Sequence, residues 1–214
     1  MASKRPDLRL GLPSRSLAAA GQTKRSTPAG ILLTAGASAD RNHHTLVALE
    51  EALDPIPVER WDFPYTLAGR RTVDRPPKAM ASVLQGVAAL AMRVKAHPGE
   101  IMVGGRSYGG RMCSMAAAEA LRVAGAIMIS YPLHPPGKPE RLRREHFPRL
   151  DIPCLFVSGT KDPFAAPDEL VAATSAIPGP VAHRWIDGGD HGLRRYDAAV
   201  VEAVSAWLAE LNER

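Results

Sequence analysis

The strongest constraint in this chain is an alternation of short apolar runs with longer amphipathic stretches, which repeats from residue 30 to the C-terminal region. Apolar runs bounded by Gly or Pro suit strands buried on both faces, and the amphipathic stretches between them suit crossover helices. Together they specify a parallel sheet covered by helices. The run G-I-L-L-T-A at 30–35 opens the series. Asp40 is placed to cap a helix through Leu53, which Pro55 and Pro57 end. Residues 58–63 read as a weaker strand, interrupted by Glu59, Arg60 and Asp62; a loop at 64–77 precedes a long helix that runs to about Ala96. Strands at 100–104, 124–130, 152–158 and 181–187, with helices at 108–121, 168–176 and 195–211, complete the order. The expected fold class is α/β, with about six mostly parallel strands and six helices. Residues 132–150, rich in Pro and Arg, read as an irregular excursion, and nothing suggests a large lid domain.

Charge narrows the range of partners. The 214 residues carry 27 Lys and Arg against 22 Asp and Glu, a net charge of +5. Within 1–28, Lys4, Arg5, Arg9, Arg15, Lys24 and Arg25 face Asp7 alone, which leaves 21 of each sign in the rest. The domain expected at 29–214 is therefore near neutral, and a nucleic-acid-binding domain is disfavoured. Segment 1–28 is expected to be a basic, disordered or mis-assigned tail, because Asp7, Arg9, Pro13 and Arg15 break any secretory apolar core. No apolar run approaches the ~20 residues of a membrane helix. Cys113 and Cys154 lie in different apolar segments without C-x-x-C spacing, which suits a reducing cytoplasm and argues against a disulfide or zinc site. No metal or organic cofactor is expected.

The segment G-G-R-S-Y-G-G-R at 104–111 contains G-x-S-x-G at a strand-to-helix junction. Such an elbow holds its serine in a strained conformation at the strand tip, where a side chain two residues to either side would strike neighbouring backbone. Gly105 and Gly109 remove that collision and make Ser107 a candidate nucleophile. The helix that follows aims its N-terminal N–H groups at the reacting oxygen, so the Tyr108 N–H is a candidate oxyanion donor. The second is the Ala37 N–H, in the loop after the first strand, where Gly36 permits close approach to substrate.

A serine hydroxyl needs a base, and the base needs an orienting acid. His191 lies in G-G-D-H-G between the last strand and the last helix, at the same sheet edge as Ser107. His43, His44, His97 and His183 read as surface or packing residues, while His134 and His146 lie in the excursion, where they line a pocket at most. For the acid, Asp162 in S-G-T-K-D-P-F stands just beyond a strand. Asp187 and Asp190 are nearer to His191 in sequence but poorly placed to face it, and Asp168 reads as a helix cap.

The elbow G-R-S-Y-G-G-R, the segment Y-P-L-H-P-P-G-K-P-E-R-L-R at 131–143, and the loops G-T-K-D-P-F and G-D-H-G carry a resemblance. They look like the small α/β-hydrolase-fold family related to dienelactone hydrolases, whose distant relatives include a testis-expressed protein and a subunit of a chromatin acetyltransferase complex. The resemblance runs from about Gly30 to the C-terminus and implies an α/β-hydrolase fold with a triad on Ser107, Asp162 and His191, without a defined substrate. Relatives read H-G-A-G-G-D where this chain has A-G-A-S-A-D at 35–40, which changes the oxyanion loop. Dienelactone hydrolases use a cysteine nucleophile, but Cys113 falls on a helix and is expected to pack against the sheet.

Two functions stay open at this point. One is a serine hydrolase acting on a small-molecule ester or thioester; the other is a non-catalytic interaction protein of the same fold. Arg106 and His134 are further candidates for substrate contact. The basic residues Lys138, Arg141, Arg143, Arg144 and Arg149 suit either an anionic acyl substrate or a solvated charged segment.

Overall fold

Strands form where the apolar runs fall. The computed structural model describes residues 27–119 and 121–213. It contains β1 (Gly30–Thr34), β2 (Val58–Trp61), β3 (Ile101–Arg106), β4 (Gly125–Ile129), β5 (Cys154–Gly159) and β6 (Val181–Ile186). The helices are α1 (His44–Ala52), α2 (Pro64–Leu67), α3 (Pro76–Val94), α4 (Tyr108–Glu119), α5 (Pro167–Thr174) and α6 (Asp197–Asn212). Apart from Thr27 and Pro28, the expected basic tail lies outside the described residues.

All six strands are parallel, in the order β2-β1-β3-β4-β5-β6. Every residue of β1, β4 and β5 is buried. The edge strand β2 is only half-buried, so its charged residues stay at the surface, where Glu59 pairs with Arg93 and Arg60 with Glu50. Side chains alternate across the sheet. Leu32, Val103, Met128 and Phe156 join α3, α4 and α5 in one core cluster, whereas Leu33, Met102, Ile127 and Val157 join α1 and α6 in the other. Removing the side chain of any of these core residues would cost about 2–5 kcal/mol.

The strand order positions the site. The chain runs outward from β1 to β2, then returns past β1 to β3 and continues in the other direction. The connections therefore diverge beside the carboxyl ends of β1 and β3, the crevice where open parallel sheets hold ligands.

Several local expectations change. The 64–77 loop contains the one-turn helix α2, started by Pro64 and anchored by buried Tyr65. Helix α1 begins at His44, because His43 supplies the cap and accepts from the Thr45 N–H, while Asp40 closes a tighter turn by accepting from the Asn42 N–H. Asp168 lies inside α5, not at its cap; Glu169 reaches back to the Ala166 N–H. Segment 132–150 is irregular except for a 3₁₀ turn at Phe147–Arg149. Cys113 and Cys154 are buried and unpaired. Among the described residues, no helix is long and apolar enough to cross a membrane.

Candidate active site

Ser107 is the single residue between β3 and α4, and it sits at φ +52°. That left-handed conformation is unfavourable for a non-glycine residue and persists only where surrounding contacts impose it. Here the Ser107 N–H donates to Ile129 O at 2.8 Å, and its carbonyl accepts the Arg111 N–H at 3.0 Å. The flanking glycines are required by contact: a Cβ at Gly105 would lie 2.3 Å from Thr34 O, and one at Gly109 2.5 Å from Ala35 O.

The β5–α5 and β6–α6 loops bring the other two candidates to the same edge. A Cβ at Gly159 would lie 2.1 Å from Gly189 O, so only glycine lets these loops meet. The Lys161 N–H donates to Gly189 O at 2.8 Å, and the Thr160 hydroxyl bridges to Asp187 and the Gly188 N–H. Asp190 accepts from the Gly192 and Leu193 N–H groups, which shapes the turn that carries His191. Both sequence-neighbouring acids are thus used within the loops.

Asp162 accepts from His191 Nδ1 at 2.8 and 3.0 Å, and His191 Nε2 stands 2.9 Å from Ser107 Oγ. With Nδ1–H pointed at a carboxylate, the neutral ring presents its lone pair at Nε2 toward the serine hydroxyl. The Asp162 side chain is fully buried and also accepts from the Phe164 N–H at 2.9 Å. The Phe164 ring stacks on His191 with centroids 4.0 Å apart. Phe164 is a further site residue; the signal for it in the sequence is its place two positions after Asp162 in D-P-F.

The two candidate oxyanion donors flank the serine. Neither the Ala37 nor the Tyr108 N–H has a protein acceptor among the described residues. The carbonyls of Gly36 and Ala37 accept from the Tyr65 hydroxyl at 3.3 and 3.1 Å, so a residue of α2 braces the loop. Tyr108 turns its ring toward Phe63 and Tyr65 and donates its hydroxyl to Asp74 O at 2.7 Å, which keeps it off Ser107. Asp74 is buried. Burial pushes its carboxyl upward, but bonds from Arg70, Lys78 and the Tyr65 N–H outweigh that and hold it below the usual range. This bracing is long-range and has no motif, which is why sequence patterns miss it.

A cleft of about 1080 Å³ opens over Ser107, His191 and Phe164. Gly36, Ala37, Arg106 and Tyr108 line it as expected, and Arg106 donates to His191 O, which ties the elbow to the histidine loop. His134 does not line it. The chain turns after Pro132 so that the His134 N–H donates to Phe164 O and its buried ring faces Glu169. His43, expected at the surface or in packing, caps α1 and lines the cleft instead; burial, followed by the charges of Arg106 and His44, lowers its pKa to about 4. His44 also lines the cleft, at an exposed position where its ring pairs with Asp197. Cys113 is enclosed behind the sheet with its thiol on Gly104 O, and burial raises its pKa to about 12. Among the described residues, no three His, Cys, Asp or Glu side chains are grouped to hold a metal ion.

Solved structures share this architecture. Est1E from Butyrivibrio proteoclasticus, with ferulic acid bound, is 18% identical at a TM-score of 0.67, covering 91% of this chain and 93% of that one. A dienelactone hydrolase from Anabaena variabilis is 17% identical at 0.67, covering 86% and 87%. An alpha-beta serine hydrolase homologue from Coxiella burnetii is likewise 17% identical at 0.67, covering 85% and 86%. At such identity these likenesses concern the fold. The sequence itself goes further, since residues 27–209 match the family described as alpha/beta hydrolase domain. With the six-stranded parallel sheet and the elbow at the end of β3, that match places the protein: the chain belongs to the alpha/beta hydrolase domain family.

Proposed function

We propose that this protein is a serine hydrolase of the branch related to dienelactone hydrolases, cleaving a carboxylic ester or thioester through an acyl-enzyme on Ser107. The observation that carries this function is the unbroken line from Asp162 through His191 to Ser107 Oγ, with every link between 2.8 and 3.0 Å, at the floor of an open cleft.

The steps follow from the geometry. Ser107 Oγ attacks the substrate carbonyl as His191 Nε2 takes its proton, and buried Asp162 stabilises the imidazolium. The Tyr108 and Ala37 N–H groups receive the developing oxyanion; a preorganised donor of this kind is worth about 3 kcal/mol in the transition state. The imidazolium returns its proton to the departing alcohol or thiol, leaving the acyl group on Ser107. Water, deprotonated by His191, then releases the carboxylic acid and restores the serine. Arg106 acts as a positioning residue, holding the backbone of His191 from beneath the elbow.

The alternative is a non-catalytic interaction protein, for which the altered loop at 35–40 and the chromatin-complex subunit among the distant relatives speak. The Tyr65 brace on that loop and the Tyr108 ring drawn toward Asp74 both support catalysis. Ferulic acid bound to the Est1E neighbour supports a small carboxylic substrate. A fluorophosphonate probe should label the wild-type protein and not Ser107→Ala, and an ester and thioester panel then ranks leaving groups. Equal labelling of the two proteins would refute the proposal.

A further inference from the structure

Of the arginines that line the cleft, Arg75 and Arg194 are exposed and Arg106 is tied to His191 O, which leaves Arg111 and Arg143 half-buried and without a role in the hydrolytic steps. Arg111 lies one helical turn beyond Ser107 on α4, so the elbow that presents the nucleophile also delivers a guanidinium to the same face. Arg143 comes from the irregular segment after β4, and both residues line the cleft. Residue 143 is held firmly: its N–H donates to Leu133 O at 2.7 Å and its carbonyl accepts the buried Tyr131 hydroxyl at 2.6 Å.

Among the described residues, neither guanidinium has a counter-ion: no hydrogen bond or ion pair engages either side chain, and the Arg111 Nε is buried with no acceptor at all. The pKa of Arg143 is lowered, first by burial and next by the charge of Arg111, so the two cations feel each other. Nearby acids are committed or solvated: Asp74 is held by Arg70 and Lys78, Asp162 by His191, and Glu145, whose charge acts on Arg143, is exposed and forms no ion pair with either arginine. His146, bonded to Ser114 and lowered to about 4 chiefly by burial, supplies no negative charge. Two half-buried like charges without a counter-ion are unfavourable, and an anion that binds both removes the penalty. The planar guanidinium fork suits carboxylate or phosphate oxygens.

The other basic side chains of the cleft and its rim differ. Arg75, Lys138, Arg141, Arg144, Arg149 and Arg194 are exposed, and Arg106, whose Nε is likewise buried without an acceptor, is committed through Nη2 to His191 O.

We propose that the substrate of Ser107 carries an anionic group, a carboxylate or a phosphate, that Arg111 and Arg143 hold while its ester or thioester carbonyl meets the nucleophile. This substrate class rests on the serine-hydrolase function proposed above.

The test compares three esters of matched length on the full-length protein: 4-nitrophenyl butyrate, 4-nitrophenyl hemiglutarate, and a 4-nitrophenyl ester ending in a phosphonate. The charged-to-neutral ratio of kcat/KM should be about tenfold or more in the wild-type protein and near one in Arg143→Gln, with Arg143→Lys intermediate. The better of the two charged esters identifies the anion. Arg111→Gln should collapse the same ratio. A wild-type protein that hydrolyses the butyrate ester with a ratio near one overturns the anionic substrate and leaves the hydrolase standing. Calorimetry separates the two claims from the other side: Ser107→Ala should bind monoethyl glutarate, and Ser107→Ala/Arg143→Gln should not. Arginine-dependent binding without any esterase activity in the wild type would keep the anion site and overturn the hydrolase. Absence of both the ratio and the binding would overturn the anion site itself.

Discussion

The corner that holds Ser107, Asp162 and His191 and the wall that holds Arg111 and Arg143 are built on opposite principles. In the corner the three side chains satisfy one another: the Asp162 carboxylate takes the imidazole and the Phe164 N–H, and the imidazole takes the serine hydroxyl. In the wall, cations stand half-buried without a partner among the described residues. Satisfied polar groups are rigid, which suits the movement of a proton along a set path. Unsatisfied ones leave donors free for a bound ligand, here the proposed anion. Chemistry and recognition thus divide between two neighbouring regions, linked through the N-terminal turn of α4.

The largest expected effect breaks the corner. Ser107→Ala should lower kcat on any hydrolysed ester by at least about 10³-fold while leaving the melting temperature near that of the wild type; a residual rate within tenfold would mean that another group attacks. Next comes the backbone that frames it. Gly105→Ala places a Cβ 2.3 Å from Thr34 O, and the forced shift should cost about 3 kcal/mol, a fall in Tm of about 6–10 °C by calorimetry. An unchanged Tm would show that the elbow has slack.

A pH titration probes the wall. His146 packs beside Arg111, and burial, then the charges of Arg111 and Arg149, lower its pKa from 6.5 to about 4. Between these values the unfolded chain binds a proton that the folded chain refuses, so stability rises with pH across that window and is lost on acidification, by about 2 kcal/mol. His43, also lowered to about 4, contributes with the same sign but less, being more exposed. Denaturation at pH 7, 5.5 and 4.5 should give a shallower pH slope for His146→Gln than for the wild type; parallel slopes would count against this role. The smallest effect tests the brace on the oxyanion loop. Tyr65→Phe removes one hydroxyl, 3.1 Å from Ala37 O, and should reduce kcat about tenfold with little change in KM. A change confined to KM would place Tyr65 in substrate binding instead.

Legibility in the sequence followed the range of the interactions involved. The four inner strands are readable because each is an apolar run whose burial is dictated by its own composition, the edge strands β2 and β6 less so because charged residues interrupt them, and the candidate triad because each member stands just past a strand end in a distinctive loop. Helix α2 was read as loop because one turn after Pro64 has no periodicity to detect. His43 and His134 exchanged places for a similar reason. A histidine's position in the chain does not say which way its ring turns, and here the cap on α1 draws His43 to the cleft while Phe164 O draws the backbone of His134 away from it. The Phe164 ring, the Tyr65 hydroxyl and the Asp74 carbonyl act on residues distant in sequence, His191, the carbonyls at 36–37 and Tyr108, which leaves no spacing to recognise.

The sequence by itself determined the order of elements, the elbow and its two obligatory glycines, since these rest on hydrophobic periodicity and on sterics within a few residues. Only the tertiary structure decided which arginines line the cleft with Ser107. Five basic residues of segment 132–150 look alike in the sequence, and one of them, Arg143, is carried into the cleft. Irregular backbone goes where it finds hydrogen-bond partners, and for residue 143 those partners, Leu133 O and the Tyr131 hydroxyl, lie on chain ten to twelve residues upstream, fixed in the folded core.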